Sequence, residues 1–516
     1  MKSNISSYEQ GISLALLPST IRDAIRVTHM LGFRWLWVDS LCILQDSDED
    51  KLHEIGRMHH IYRYAHLTII AASARTVSEG FLHERSVPYD SVAVPFLCLP
   101  DSATSEPALD GHSGAQSEIG QVYLSGSLHS TRKSYAYNDG LEYMSSRAWC
   151  MQEYLMSPRS LIFTSTTFRF RCLTTMQSVD NSFCPDIHDL RVPNTLFLPV
   201  PPAAKPSSRE WKDMHTAWVE VVGNYSRRTA SIESDKLVAC AAVAEQFHRV
   251  LRSDYLAGLW RSAAFFTDLL WETPRETYPT HRPRHTRPTA YRAPSWSWAA
   301  IDGVVGQSGY TPKIEDPRVR TIALAEIVEC GVTLEDDELP FGRVIGGTLV
   351  LRGTLIPCQC VVRVPGTTYG LCRFTLPSFE RLRRWQLGLD YSSCGGEDDA
   401  EIESTEAEYQ RAVVMLDCDD DDTSGGMWVV PFFWVPGTGA GTMEEVIGMA
   451  LVLESAPPVN GLGSQSEKTR FRRVGLLSAE SPANTGERTF LKNPLWNPLI
   501  QAMKGGQWPL VDIEIV

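Results

Sequence analysis

Apolar residues recur at helical spacing in Ile21, Ala24, Ile25 and Leu31. Ser19 or Thr20 stands ready to cap that helix, Asp23 falls in its first turn, and Gly32 ends it. The run Trp35-Leu36-Trp37-Val38 follows, continuous and apolar up to Asp39, the pattern of a strand covered on both faces. Asp46 to Asp50 makes an acidic turn, Leu52, Ile55, Met58 and Tyr62 make a second amphipathic helix, and Leu67 to Ala72 reads as a second buried strand. Helix, strand, helix, strand at this spacing predicts a βαβ unit, with Trp35–Val38 and Leu67–Ala72 as adjacent parallel strands. Val87 to Tyr143 reads as an irregular surface excursion rich in Ser, Gly and Asp. A helix capped by Ser145-Ser146 is expected to run to Leu155 and break at Ser157-Pro158, with strands at Ser160–Thr164 and Thr167–Cys172.

Downstream, Pro193 to Pro206 looks like a linker, and helices are predicted at Trp211–Tyr225, Asp235–Phe247 and Tyr255–Trp271. From about Thr321 the period changes to two, in Thr348–Gly353, Cys360–Val364, Ala412–Leu416 and Met427–Phe433, which predicts an antiparallel β region. Glu397 to Asp422 holds twelve acidic residues and reads for the most part as a solvated loop, with Glu397–Thr405 exposed. The expected organisation is an α/β domain over 12–175, a helical segment over 207–275 and a β-rich region over 321–480.

The chain has 516 residues, with 48 Lys and Arg against 62 Asp and Glu and a net charge of −14. That acidity argues against a general nucleic-acid binder, and the basic cluster His281–Arg287 reads as a surface loop. No stretch approaches the length of a membrane span, and the N-terminus lacks the apolar core of a secretion signal. Twelve scattered cysteines without a Cys-x-x-Cys pair suit reduced thiols and a cytoplasmic location. Cys358 and Cys360 would share a strand face as packing residues, and no metal site is expected. Gly437-Thr438-Gly439-Ala440-Gly441 lacks the last glycine of a dinucleotide fingerprint and follows β sequence, so it is set aside.

Four blocks in order resemble the fungal heterokaryon-incompatibility (HET) domain family. They are Leu17–Ala24, Leu31–Asp46, Met58–Ala65 leading into Leu67–Ala72, and Arg147–Glu153 followed by Ser157-Pro158-Arg159. The likeness spans about 12–175, and Tyr255–Trp260 and Arg292–Trp298 look like segments common further along such proteins. The family usually opens with a strand carrying a Leu-Ser-Tyr-x-Trp-Gly type motif. This chain begins after it, so a first strand is expected to be missing from the sheet. The resemblance implies an intracellular switch in non-self recognition that ends in cell death. It also implies a distant likeness to the TIR domain, a flavodoxin-like parallel-sheet fold. Some TIR domains cleave the N-glycosidic bond of NAD with a glutamate, and Trp149-Cys150-Met151-Gln152-Glu153 is similar to their Trp-Cys-x-x-Glu motif.

Under that resemblance Glu153 would assist departure of nicotinamide by stabilising an oxocarbenium-like ribosyl centre or by gripping the ribose hydroxyls. Its plainer reading is an ion pair with Arg147 or Arg159. Asp39, at the end of an expected central strand, is placed for a site, or else holds its loop through backbone N–H groups. Cys42 would be a nucleophile only with a basic partner such as His59 or His60, and is otherwise an inert thiol. Gln45, Asp46, Arg147, Trp149 and Gln152 are the substrate-binding candidates, although Trp149 reads better as a core residue. Asp39 and Glu153 are expected to border one cleft, where mutual repulsion and desolvation would raise at least one pKa. Three functions remain open: a HET-type cell-death effector acting on NAD or through self-association or other incompatibility proteins, a binding module without catalysis, and an enzyme of fungal small-molecule metabolism on the same scaffold. No cofactor is fixed by the sequence; NAD enters only as a substrate candidate.

Overall fold

The computed structural model describes residues 4–84, 91–98, 118–125, 141–165, 167–178, 189–273, 285–309, 311–316, 318, 321–358, 360–363, 371–376, 410–418, 421–422, 426–435, 445–453, 469–480, 505 and 509–516. The chain divides into two compact units. The first comprises Met1–Glu54, Ala65–Met144 and Pro158–Asp189; the second comprises Ile55–Tyr64, Ser145–Ser157 and Leu190–Val516.

The first unit opens with helices α1 (Ile5–Glu9), α2 (Ser19–Met30) and the short α3 (Asp39–Cys42). Helix α4 (Asp48–Tyr64) begins here and ends in the second unit, and its first turn takes up most of the expected acidic turn. Strands β1 (Thr68–Ile70), β2 (Ser91–Cys98) and β3 (Glu118–Ser125) follow. After helix α5 (Ala148–Met156), which belongs to the second unit, come β4 (Arg159–Phe163), β5 (Phe168–Cys172) and β6 (Met176–Ser178). The sheet order is β1-β4-β5-β6. Only β1 and β4 run parallel; β5 and β6 continue antiparallel. The sheet is therefore mixed α/β, where a parallel sheet was expected. Its core gathers Val27, Phe81, Leu161 and Phe163, with Phe163 stacked at a tilt between Phe81 and Phe168 at 4.6 and 4.9 Å.

Three expectations for this unit are corrected. Trp35–Val38 joins no sheet among the described residues, and Trp35 is 91% exposed. The run is apolar, but a strand exists only with a partner for its backbone groups, and none is supplied. Helix α2 starts at Ser19 with Pro18 at its N-cap and no side-chain cap. Thr20 Oγ1 instead accepts from the Gly80 N–H, at 3.2 Å. Finally, the stretch read as irregular contains a hairpin-like pair, β2 and β3, antiparallel from Ser91 opposite Ser125 to Cys98 opposite Glu118.

In the second unit α6 (Arg209–Tyr225) is capped by Ser208, whose Oγ accepts from the Trp211 N–H at 3.2 Å. Helix α7 (Val238–Leu251) buries Ala239, Val243, Phe247 and Val250, one apolar stripe, and α5 and α6 lie against it. The predicted helix over Tyr255–Trp271 is replaced by a hairpin, β7 (Tyr255–Leu256) and β8 (Leu259–Trp260), then α8 (Phe265–Asp268) and β9 (Trp271–Glu272). Ala257 and Gly258 both have positive φ, 47° and 101°, as a two-residue turn of this kind requires. A Cβ on Gly258 would fall 2.4 Å from Trp298 Nε1, so only glycine fits.

Strand β10 (Gly306–Gln307) pairs with β9, and α9 (Thr311–Glu315) follows. An eleven-stranded sheet then forms from β11 (Ile322–Ala323), β12 (Glu326–Leu334), β13 (Val344–Gly353), β14 (Ile356–Cys358), β15 (Cys360–Arg363), β16 (Leu371–Leu376), β17 (Gln410–Leu416), β18 (Met427–Val435), β19 (Glu445–Leu453), β20 (Arg470–Glu480) and β21 (Val511–Ile515). All its pairings are antiparallel except β20 with β21, so the period-two reading holds for the described residues. Cys358 and Cys360 end up on two different strands instead of one. Glu397–Thr405 and Gly437–Gly441 lie outside the described residues.

The acidic stretch is not all solvated. Asp417 and Asp421 are buried, and they face Arg287 and Arg473. Arg473 is fully buried; its guanidinium bonds both Asp417 oxygens at 3.0 and 3.1 Å, donates to the Trp271 carbonyl at 2.6 Å and lies 3.6 Å from the Trp271 ring centroid. Arg287, read as part of a surface basic cluster, bonds both oxygens of Asp421 at 2.7 and 3.0 Å.

Candidate functional site

The turn after residue 38 is built by local hydrogen bonds. Val38 is extended, α3 begins at Asp39, and Asp39 Oδ1 accepts from the Ser40 N–H at 2.6 Å. Gln45 Nε2 donates to the carbonyls of Asp39 and Ile43 at 3.3 and 3.1 Å, and the Leu44 N–H donates to Asp50 Oδ2 at 2.7 Å. Short polar side chains closing their own backbone in this way are turn formers. Asp39, Cys42, Gln45 and Asp46 come together here, and all four are exposed. Asp39 thus starts a helix at the surface and does not end a buried strand.

The other half of the candidate set lies in the second unit, on α5 and at its N-cap. Arg147 is the N-cap residue, without a side-chain cap bond, so the expected serine cap is not used. The helix start is held from α6's far end instead. The Ala148 N–H donates to the Thr229 carbonyl at 2.9 Å, Thr229 N–H to the Ser146 carbonyl at 2.8 Å, and Arg228 Nη1 to the Arg147 carbonyl at 3.3 Å. Cys150, Met151, Gln152, Tyr154, Leu155 and Met156 are buried, whereas Trp149 and Glu153 are half-buried and Arg147 is exposed. Gln152 Oε1 has no hydrogen-bond partner although the side chain is 1% exposed. Arg159, one suggested partner of Glu153, donates from Nε to the His66 carbonyl at 2.9 Å in the first unit. The candidates therefore fall into two groups, Asp39, Cys42, Gln45 and Asp46 in one unit and Arg147, Trp149, Gln152 and Glu153 in the other.

His59 also belongs to the second unit, on the last turns of α4. Burial holds its imidazole below the ordinary value, against the pull of Glu245 at 3.7 Å. Arg63 anchors the same turns, donating from Nη1 to Gln246 Oε1 at 2.6 Å and from Nη2 to the Leu198 carbonyl at 3.2 Å.

One residue of the first unit carries more of its architecture than the sequence suggested. Asp23 Oδ2 accepts from the N–H groups of Phe81 and Leu82 at 2.9 and 3.2 Å, and the side chain is buried. Gly80, at φ +79°, lets that loop approach, since a Cβ there would sit 2.6 Å from the same oxygen. The signal available in the sequence was an Asp on an apolar helix face with a glycine before an aromatic residue. Among the described residues no cluster of three metal-ligating side chains occurs, and no helix is long and apolar enough to cross a membrane.

The family model described as Heterokaryon incompatibility protein (HET) covers residues 2–153, the part that holds the first three blocks quoted above and Arg147–Glu153 of the fourth. No curated protein and no solved structure matches the chain. The match stops at Glu153, inside α5, and so leaves β4, β5 and β6 outside it. Residues 2–153 are a heterokaryon incompatibility (HET) domain.

Proposed function

We propose that this chain is a cytoplasmic effector of fungal non-self recognition, in which the HET domain delivers a cell-death output and the second unit governs it. The observation that carries this reading is the position of two HET blocks. Met58–Tyr64 and Arg147–Glu153 sit on helix segments that belong to the second unit, fastened by Arg63 to Gln246 and by Thr229 to Ala148. A change of state in the second unit would act directly on those segments. For the chemistry we propose Glu153 as the carboxylate of an NAD glycohydrolase. Water would add to the ribosyl carbon as nicotinamide leaves, with the carboxylate stabilising the positive centre and taking the water's proton.

A second reading, a HET module that signals by binding a partner or a second copy, is favoured by the exposure of Asp39, Cys42 and Gln45 on a surface turn. One experiment separates the two. The full chain and its Glu153→Gln variant are induced in a fungal host, and the purified proteins are incubated with NAD. Death and nicotinamide release by the parent, both lost in a variant of unchanged thermal midpoint, support catalysis. Death retained by the variant without nicotinamide release supports the binding module. An inert parent in the host overturns the effector reading.

A further inference from the structure

The second unit contains a cavity of about 40 Å³ between α6, the β7–β8 turn, α8 and the β9–β10 pair. That is room for roughly three waters or the head of a small organic molecule. Its lining includes three tryptophans, Trp218, Trp271 and Trp298, together with aliphatic side chains, Asp268, Gln307 and, on α6, Gly223. The indole N–H groups are already committed. Those of Trp218 and Trp298 both donate to the Gly258 carbonyl, at 3.1 and 3.0 Å, and that of Trp271 donates to the Trp296 carbonyl at 2.9 Å. The Trp218 and Trp298 rings therefore offer the cavity apolar surface and π-electron density, whereas one face of Trp271 already carries the Arg473 guanidinium at 3.6 Å. Asp268 supplies the charge. Its Oδ2 meets His215 Nε2 at 2.8 Å, and His215 is itself stacked under Trp211 at 5.0 Å.

Gly223 gives an independent sign that this space is kept open. It lies within α6, where glycine is disfavoured relative to alanine. Packing does not demand it: a Cβ there would meet only the Val305 carbonyl, at an ordinary 3.7 Å. A glycine with room for a side chain, facing a cavity, is what an occupied pocket needs.

We propose that this cavity binds a small organic cation, an alkylated ammonium head held against the rings of Trp218 and Trp298, with Trp271 beside them, and neutralised by Asp268. Aromatic walls with a carboxylate at their edge attract such a group through the ring quadrupole and direct charge. A chain with a net charge of −14 also concentrates cations around it. An anion would face the Asp268 carboxylate, and a hydrogen-bonding neutral solute would find no free indole donor. The proposal is independent of the HET-domain reading and stands or falls separately.

His215 predicts how binding depends on pH. Burial works against its protonation, but the hydrogen bond and charge of Asp268, with Glu315 also near, hold its pKa above the ordinary value. Asp268 and Glu315 are the acidic groups that face it. A cation arriving at Asp268 competes with the imidazolium, so affinity should rise with pH as the proton is released.

The test is calorimetric titration of the full chain with choline and with 3,3-dimethylbutan-1-ol, the neutral molecule of the same shape, at matched ionic strength. Saturable one-to-one binding of choline, preferred over the alcohol by about tenfold or more, is expected. Binding should strengthen from mildly acidic to mildly alkaline pH. Gly223→Val should abolish it by filling the space, and Asp268→Asn should weaken it by about tenfold. Absence of saturation through the millimolar range, equal affinity for the alcohol, or choline binding undisturbed in Gly223→Val would each overturn the proposal. If both variants unfold, the parent's choice between choline and the alcohol decides the matter alone.

Discussion

Carboxylates in the two units are handled in opposite ways. In the first unit Asp39 stands at the surface and closes its own turn through the Ser40 N–H. In the second, Asp417 is buried against a fully buried arginine, and Asp268 is buried against a histidine. Asp23 lies between these extremes, buried in the first unit, bonded to the backbone N–H groups of Phe81 and Leu82 and paired at 3.6 Å with the exposed Arg26. A charge in contact with water can be lost with little effect. A charge sealed in with one partner cannot, because the partner is then left uncompensated. Motif resemblance drew attention to the exposed carboxylate, and burial draws it to the others.

Removal of each carboxylate in turn puts this contrast to the test. Asp417→Ala should destabilise the second unit most, by about 3–5 kcal/mol, since Arg473 would keep its charge without a counter-ion; urea unfolding followed by tryptophan fluorescence measures it. Asp268→Asn should come next, at about 1.5–3 kcal/mol. Its effect should depend on pH. His215 has a raised pKa in the folded state, so the stability it contributes is complete below its ordinary value of 6.5 and is lost as pH rises through the raised one. The loss on mutation should therefore be larger at mildly acidic than at alkaline pH, and an equal loss at both would mean that the pair is not ionic.

Asp23→Ala should weaken the first unit by about 1–3 kcal/mol, because the Phe81 and Leu82 N–H groups lose their acceptor in a buried place. Proteolysis near residues 80–82 should accelerate in step. Asp39→Asn should change stability by no more than about 0.5 kcal/mol, as a surface substitution does. A loss at Asp39 as large as that at Asp417 would break the comparison, and would mean that the turn is buried by something in solution.

Several elements could be read from residue order alone, and the failures have distinct physical causes. Helices α2, α6 and α7 and strand β5 follow from apolar spacing, because each buries one stripe or face, and β4 from its continuous apolar run, buried on both faces; α4 also forms where predicted, though the side chains it buries are Met58, His59 and Arg63. Trp35–Val38 failed because apolarity selects burial only when a neighbouring strand exists, which no local pattern reveals. Tyr255–Trp271 failed because helical spacing of Leu256, Leu259 and Trp260 is overridden by Ala257 and Gly258, both in left-handed backbone. Asp417 and Asp421 were hidden in an acidic run, since their arginine partners at 287 and 473 are far away in sequence. The candidate site was legible as a set of residue types. Its division between units was not, because α4 crosses from one unit into the other and α5 lies wholly in the second, a boundary that the motif order ignores.

Helix α5 carries a lesson about modularity. The family match ends at Glu153, yet the helix runs on to Met156, and Tyr154, Leu155 and Met156 are all buried. The matched stretch and the folded helix are offset by three buried side chains. A gene fusion that borrowed only the first would inherit a helix with its greasiest turn missing. Recombination that joins this domain to a new neighbour must therefore supply a matching surface as well as a reading frame. Only neighbours that can seat the end of α5 should persist beside it.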